Sequence, residues 1–204
     1  MNKRCEEVLR RYFAEVPFII EKACELAESM LGEGSHGLSH TIRVLDLALQ
    51  IGRVEGANLE VLALAAILHD IARPLEDKGR IKDHAQEGAR IVRSFLSKLR
   101  YPHVDEVAHA IEAHRFSTNI EPRTLEAKIL SDADKIDALG AIGIARVFMY
   151  AGEKGRSIED SIKHFEEKIL RLKDLMYTET GKRIAQERHK IVEEFVNILK
   201  KELI

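Results

Sequence analysis

The run Leu62-Ala63-Leu64-Ala65-Ala66-Ile67-Leu68 ends on His69-Asp70, and Arg73-Pro74 follows within three residues. No other stretch constrains the fold as much. An apolar helix of this kind sits beside the core, where an unpaired charge is expensive to bury, yet it ends on an imidazole and a carboxylate. Neighbouring residues on a helix point about 100° apart, so an interior pair cannot easily share one ligand. In a last turn about to be broken by proline, both side chains can swing toward a common point. Imidazole and carboxylate together suit a divalent metal of borderline to hard character. An isolated His-Asp is better read as a capped helix end with a satisfied histidine. The rest of the chain decides between the two.

His40 lies upstream, His84 and His114 lie downstream, and Ser131-Asp132-Ala133-Asp134-Lys135-Ile136-Asp137 adds an acidic cluster. Five separated segments thus each deliver one or two residues able to bind metal. A purely structural account needs a separate partner for every one of them, whereas a metal site accounts for all at once.

The chain has 204 residues, enough to bury a core as a single domain with a small helical extension. A formal net charge of −2, with both signs interspersed, gives no basic patch for a nucleic acid polymer and no polybasic tail for a membrane. The two cysteines, Cys5 and Cys24, have no zinc-ligand spacing and read as small apolar fillers in a reducing cytosol. With no charged leader and no apolar run of membrane-spanning length, a cytoplasmic protein is expected.

The pattern predicts an all-α chain. No sustained alternation appears, and β-branched residues never gather over a strand length. Helices are expected over residues 3–31 (divided at Pro17), from Leu38 or Ser39 to Gly56, and from Asn58 to His69-Asp70. Leu75 to Asp83 reads as a loop. Further helices should cover about 84–99, 103–113 and 125–150, then an amphipathic one about 158–176 and a charged one about 180–202. Domain organisation follows as one domain, with a core over about 36–150 and a helical extension over about 156–204. The extension serves as a lid, a brace or an oligomer surface, and a homodimer is one outcome. His103, His109, His164 and His189 read as surface residues, and Asp132 reads as a helix cap.

His40-Thr41-Ile42-Arg43-Val44, then His69-Asp70, then Ala133-Asp134 give the order H…HD…D. This order resembles the HD-domain superfamily of metal-dependent phosphohydrolases, in particular a group of small bacterial and archaeal HD proteins. The segments that carry the closer resemblance are His36–His40, Ser131–Arg146 and Met176–Gly181. One departure is visible: Gly37 stands where that group usually has the Asp of a His-Asp pair. The resemblance implies an HD-domain helical bundle with a carboxyl-terminal helical extension, in which His40, His69, Asp70 and Asp134 ligate one divalent metal (Mn, Mg, Ni, Co, Fe or Zn). His84 and His114 match positions that supply a second ion in the two-metal branch of the superfamily, with Asp70 bridging. With Asp70 they form the expected catalytic set. His36 and Asp137 would support the ligands from behind, and Arg43, Lys135 and Arg146 are the candidate phosphate contacts.

Two imidazoles and two carboxylates leave a metal electrophilic, with open positions for water and a phosphate oxygen. A small phosphorylated metabolite, a nucleotide first, is therefore the expected substrate, attacked by a metal-activated water. Two other classes remain open: a di-iron oxygenase on the same helical scaffold, and a non-catalytic sensor of a phosphorylated messenger. Metal content with oxygen uptake separates the first, and the completeness of the ligand set argues against the second.

Overall fold

In the computed structural model, residues 1–32, 37–115 and 120–203 are described, so the expectation for His36 lies outside the described residues. The chain is all-α, and no strand occurs among the described residues. The helices are α1 (Lys3–Leu9), α2 (Phe18–Met30), α3 (Leu38–Glu55), α4 (Leu59–Leu68), α5 (Arg73–Asp77), α6 (His84–Lys98), α7 (Val104–Ala113), α8 (Leu125–Asp137), α9 (Gly140–Glu153), α10 (Ile158–Glu167) and α11 (Glu179–Glu202). A 3-10 stretch, Ile169–Leu175, joins the last two. Among the described residues no helix is long and apolar enough to cross a membrane.

The chain gathers into two compact units, Met1–Ala133 and Asp134–Ile204, with α8 running from one into the other. In the first unit α4 is the central element. Asn58 starts it by accepting from the backbone N–H groups of Glu60 and Val61, and residues 61–68 are all buried. A helix apolar on every side has to be surrounded, and α2, α3 and α7 pack on it. α3 ends on Gly56, whose φ of 79° is the left-handed conformation of a helix cap. α6 packs on α7, and α5 packs on α6. In the second unit α11 packs on α9 and on the 3-10 stretch, and α10 packs on α9. Phe148, Phe165 and Phe195 form its aromatic centre, with ring centroids 5.9–6.2 Å apart.

Four sequence expectations are corrected. Pro74 does not simply break the chain after His69-Asp70: it stands in the first turn of α5, where its missing N–H costs nothing, so the expected loop begins with a short helix. The single helix over 125–150 is two, because the chain turns at Ala138-Leu139 and Gly140 takes a φ of 71°. The amphipathic helix over 158–176 leaves α geometry after Glu167. Asp132 is no cap, since it lies in the interior of α8 and is wholly buried. Two of the presumed surface histidines are buried as well. His109 accepts the backbone N–H of Arg123 at 3.0 Å, and His189 lies 3.0 Å from the Lys173 amine.

Candidate metal centre

Five residues of the first unit converge, delivered by four helices at their ends. His40 comes from the first turn of α3, His69 and Asp70 from the end of α4, His84 from the start of α6, and His114 from the end of α7. All five are at most 3% exposed. Helix ends carry unsatisfied backbone groups, and here they fix the side chains. His69 Nδ1 donates to the Ala66 carbonyl at 2.8 Å, and His114 Nδ1 donates to the Ile111 carbonyl at 2.6 Å. Each histidine thus closes the last turn of its own helix and turns Nε2 toward Asp70. The helix-cap reading of the His-Asp pair holds for His69, and its Nε2 faces the cluster. At α6 the cap is Asp83, which accepts from the N–H groups of Ala85 and Gln86 and sets His84 at the first helical position.

Asp70 sits at the middle of the cluster, with its two oxygens facing opposite ways. Oδ2 lies 3.6 Å from His69 Nε2 and 3.7 Å from His40 Nε2, while Oδ1 lies 3.1 Å from His84 Nε2 and 3.9 Å from His114 Nε2. His40 and His69 bring their Nε2 atoms within 3.3 Å of each other. The rings form a chain, His40 to His69 to His114 to His84, with centroids 5.2–5.4 Å apart.

This arrangement suits a cation. Nε2 of His69, His40 and His114 face the Asp70 oxygens across 3.6, 3.7 and 3.9 Å. These separations are longer than hydrogen bonds, and a divalent ion among the donor atoms would bridge them. The ligand-capable atoms of Asp70, His84 and His114 lie within 4.8 Å of one another, which makes them one metal-sized group. The donor set of imidazole and carboxylate, with no thiolate, fits transition metals of borderline character.

The electrostatics agree. Burial raises the Asp70 carboxyl, but His69, the hydrogen bond from His84 and His40 outweigh it and hold the group well below the usual carboxylate range. Burial pushes the His84 imidazole down, yet its hydrogen bonds to Asp70 and Glu76 leave it raised. Glu76, pushed up by burial, is held low by His84 and Arg115. Nothing in the sequence pointed to Glu76. It falls in the stretch read as a polar loop, and only the Pro74 signal for a helix start could have placed it on a fixed element.

The remaining site candidates are placed as follows. Arg43 is half-buried on α3, one turn after His40. Asp134 is half-buried on α8 and is the first residue of the second unit. Within that unit the buried Lys135 has its amine 5.6 Å from the centre of the Tyr177 ring. Asp137 and Arg146, expected separately, are brought together as an ion pair at 2.7 Å. Arg188 lies along the Gly140 backbone and donates to the Ile136 carbonyl at 3.2 Å, pinning the end of α8.

Comparison with known proteins follows the same outline. The family model for the HD domain matches residues 37–139. Bacillus subtilis YpgQ is 37% identical over 177 residues, covering 82% of this chain and 84% of YpgQ. The crystal structure of YpgQ in complex with ADP superposes with a TM-score of 0.75 at 33% identity, over 90% of this chain and 97% of that one. An HD-superfamily hydrolase from Bacillus thuringiensis gives a TM-score of 0.69 at 32% identity, over 98% of each chain. Ribonuclease Y of Symbiobacterium thermophilum is 35% identical over 105 residues, 52% of this chain but only 19% of that protein. The HD match spans the helices that bring His40, His69, Asp70, His84 and His114 together, and this chain belongs to the HD-domain superfamily of hydrolases.

Proposed function

We propose that this metal-dependent HD hydrolase cleaves a phosphate bond of a nucleotide, with His40, His69, Asp70 and Asp134 as ligands of one ion. The observation that carries the reading is the division of Asp70 between two pairs of imidazole nitrogens, with nitrogen–oxygen separations of 3.1–3.9 Å in a buried space. Asp134 is proposed from the family order. It stands one helical turn beyond Ser131, whose hydroxyl donates to the His114 carbonyl at 3.3 Å. A bound divalent ion would make water acidic enough to act as a nucleophile near neutral pH and would offset charge on phosphoryl oxygens.

The chain's own residues supply the rest. Asp70 offers its second oxygen to His84 and His114, which together form a site for a second ion or for the substrate's phosphate. Arg43 and Lys135 contact phosphate oxygens, and Asp137 orients Arg146 for the same task. A nucleotide is favoured because YpgQ, matched along nearly its whole length, has been crystallised with ADP. A small molecule is favoured over a nucleic acid polymer by the net charge of −2. The similarity to ribonuclease Y makes short RNA the proper competitor in the assay.

The test is phosphate and nucleoside release from mono-, di- and triphosphates and a short oligoribonucleotide, each with manganese, magnesium, nickel, cobalt, iron or zinc. Metal-dependent release from a free nucleotide, abolished by chelation and by Asp70→Ala, is expected. Cleavage of the oligoribonucleotide alone would replace the substrate class. No hydrolysis with any metal, or oxygen uptake with iron, would overturn the reading.

A further inference from the structure

His84 is held differently from its neighbours. His69 and His114 close helices, so the carbonyl three residues back in the same helix takes the Nδ1 proton. His84 opens α6 and has no preceding helical turn to serve it. A side chain takes that place: Oε2 of Glu76, on α5, lies 2.6 Å from His84 Nδ1. The other oxygen of Glu76 accepts from Arg115 Nη1 at 2.8 Å, and the same guanidinium nitrogen lies 3.8 Å from Asp83, the cap of the helix that His84 begins. Arg115 in turn directly follows His114. The series Asp70, His84, Glu76 and Arg115 therefore runs from the central carboxylate out of the cluster and back to the neighbour of another cluster histidine.

An ordinary surface ion pair is the simpler explanation for Glu76, and three observations go against it. The imidazole it contacts is 2% exposed, its own side chain is only 17% exposed, and both of its oxygens are used in short contacts by separate elements. A histidine in a ligand cluster needs one tautomer and one ring angle, and a carboxylate on the distal nitrogen is the usual means of fixing both.

We propose that Glu76 is a positioning residue, which fixes the tautomer and ring orientation of His84 with Arg115 as its clamp. This rests on the reading of His84 as a site residue, but it is tested independently of hydrolysis. The variants are Glu76→Ala, Glu76→Gln and Arg115→Met in the full chain. The first readout is the ring-nitrogen NMR of 15N-histidine-labelled, metal-free protein at a fixed pH of about 7.5, with His84 assigned by its loss in His84→Gln. Wild type should show a proton held on Nδ1, the nitrogen that faces the Glu76 carboxylate, whatever Nε2 shares with Asp70. Glu76→Ala should lower the proton occupancy of Nδ1, and Glu76→Gln, which keeps an acceptor oxygen, should be partly rescued. The second readout is manganese affinity, and the third, where phosphate is released, is kcat against KM. Loss of the carboxylate should lower manganese affinity or kcat by about 10–100-fold with KM unchanged. Should Glu76→Ala fail to fold, Glu76→Gln and Arg115→Met carry the test. His84 signals that match wild type in the folded variants, together with affinity and kcat within about twofold, would overturn the proposal. If no protein, wild type included, releases phosphate, the hydrolase reading fails alone and the NMR and manganese data still decide the role of Glu76.

Discussion

Replacing His69 by Ala separates the two duties of that side chain, and the sizes of the effects follow from its contacts. Nδ1 contributes one hydrogen bond to the Ala66 carbonyl, worth about 1 kcal/mol net, and its loss leaves a buried helix-end carbonyl unmet. Nε2 lies among His40 Nε2 and Asp70 Oδ2, and its loss removes one of the proposed metal ligands. A ligand present at about a thousand times its Kd stabilises the fold that binds it by about 4 kcal/mol. For a chain of this length each kcal/mol moves Tm by about 2–4 °C, so chelation should lower the wild-type Tm by about 8–16 °C. His69→Ala should melt lower than metal-free wild type by the few degrees that the lost cap and packing imply, and added manganese should restore none of it. The assay is thermal unfolding by circular dichroism with and without chelator, alongside metal content by elemental mass spectrometry. A wild-type Tm indifferent to chelation, or full metal content in His69→Ala, would refute the assignment.

Asp134→Asn should remove the metal from a folded protein, while Asp132→Asn, deep in α8, should cost stability and leave metal content nearer wild type; the reverse ranking in elemental analysis would move the distal ligand to Asp132. Gly143→Ala would place a Cβ 2.1 Å from the Ala138 carbonyl oxygen, a backbone clash that should destabilise by about 1–3 kcal/mol or more, whereas Gly152→Ala, with nothing within 4 Å, should be neutral or stabilising by up to about 1 kcal/mol. Equal melting temperatures for those two variants would contradict the tight turn between α8 and α9. The sulfurs of Cys5 and Cys24 lie 3.0 Å apart in the buried contact between α1 and α2, so a thiol oxidant such as diamide should close that pair and raise Tm by the equivalent of about 3 kcal/mol, reversibly with dithiothreitol. Two free thiols in the treated, still folded protein would exclude it. His189, lowered from its ordinary 6.5 by burial and by Lys173, is bound neutral in the fold, so its stabilising contribution is complete above pH 6.5 and is lost as pH falls below that value. Wild type should therefore lose more Tm than His189→Gln between pH 7.5 and 5.5, and parallel losses would refute this.

Most of the fold was legible because the apolar runs are strongly helical and several caps are explicit. Asn58 and Gly56 bound α4 and α3 as their residue types indicate. What escaped were effects decided by tertiary contact. In Ser131–Arg146 the local mark of the break at Ala138-Leu139 is Gly140, and what the sequence does not show is that this glycine adopts a left-handed conformation under the Arg188 side chain. Burial of His189 was likewise invisible, because it lies in a charged stretch and only its own face turns inward, whereas His109, between Ala108 and Ala110, stood outside the ligand order and its apolar neighbours were the signal for its burial. Of the site, the histidines and Asp70 were found by their order along the chain. Glu76 and Arg115 were not, since a carboxylate in a polar stretch and an arginine after a histidine carry no pattern of their own.

The cluster also shows why this chemistry is placed at helix ends. In the middle of α4 a histidine would have its backbone groups satisfied and both ring nitrogens to settle among apolar neighbours, at a cost of several kcal/mol if either went unmet. At the end of the helix the last carbonyls already lack partners. Ala66 and Ile111 each present such a carbonyl, and each is taken by the histidine three residues on. The same hydrogen bond that completes the helix fixes the ring and turns Nε2 out of the helix end. Two helices doing this direct their Nε2 atoms at one carboxylate without any dedicated loop, and α6 reaches the same result only by recruiting Glu76 from a neighbouring element. The stability of the fold and the orientation of the rings are thus carried by the same hydrogen bonds at His69 and His114, whereas at His84 they are separable. Substitutions at Glu76 should therefore alter the site with little effect on folding, in contrast to those at His69.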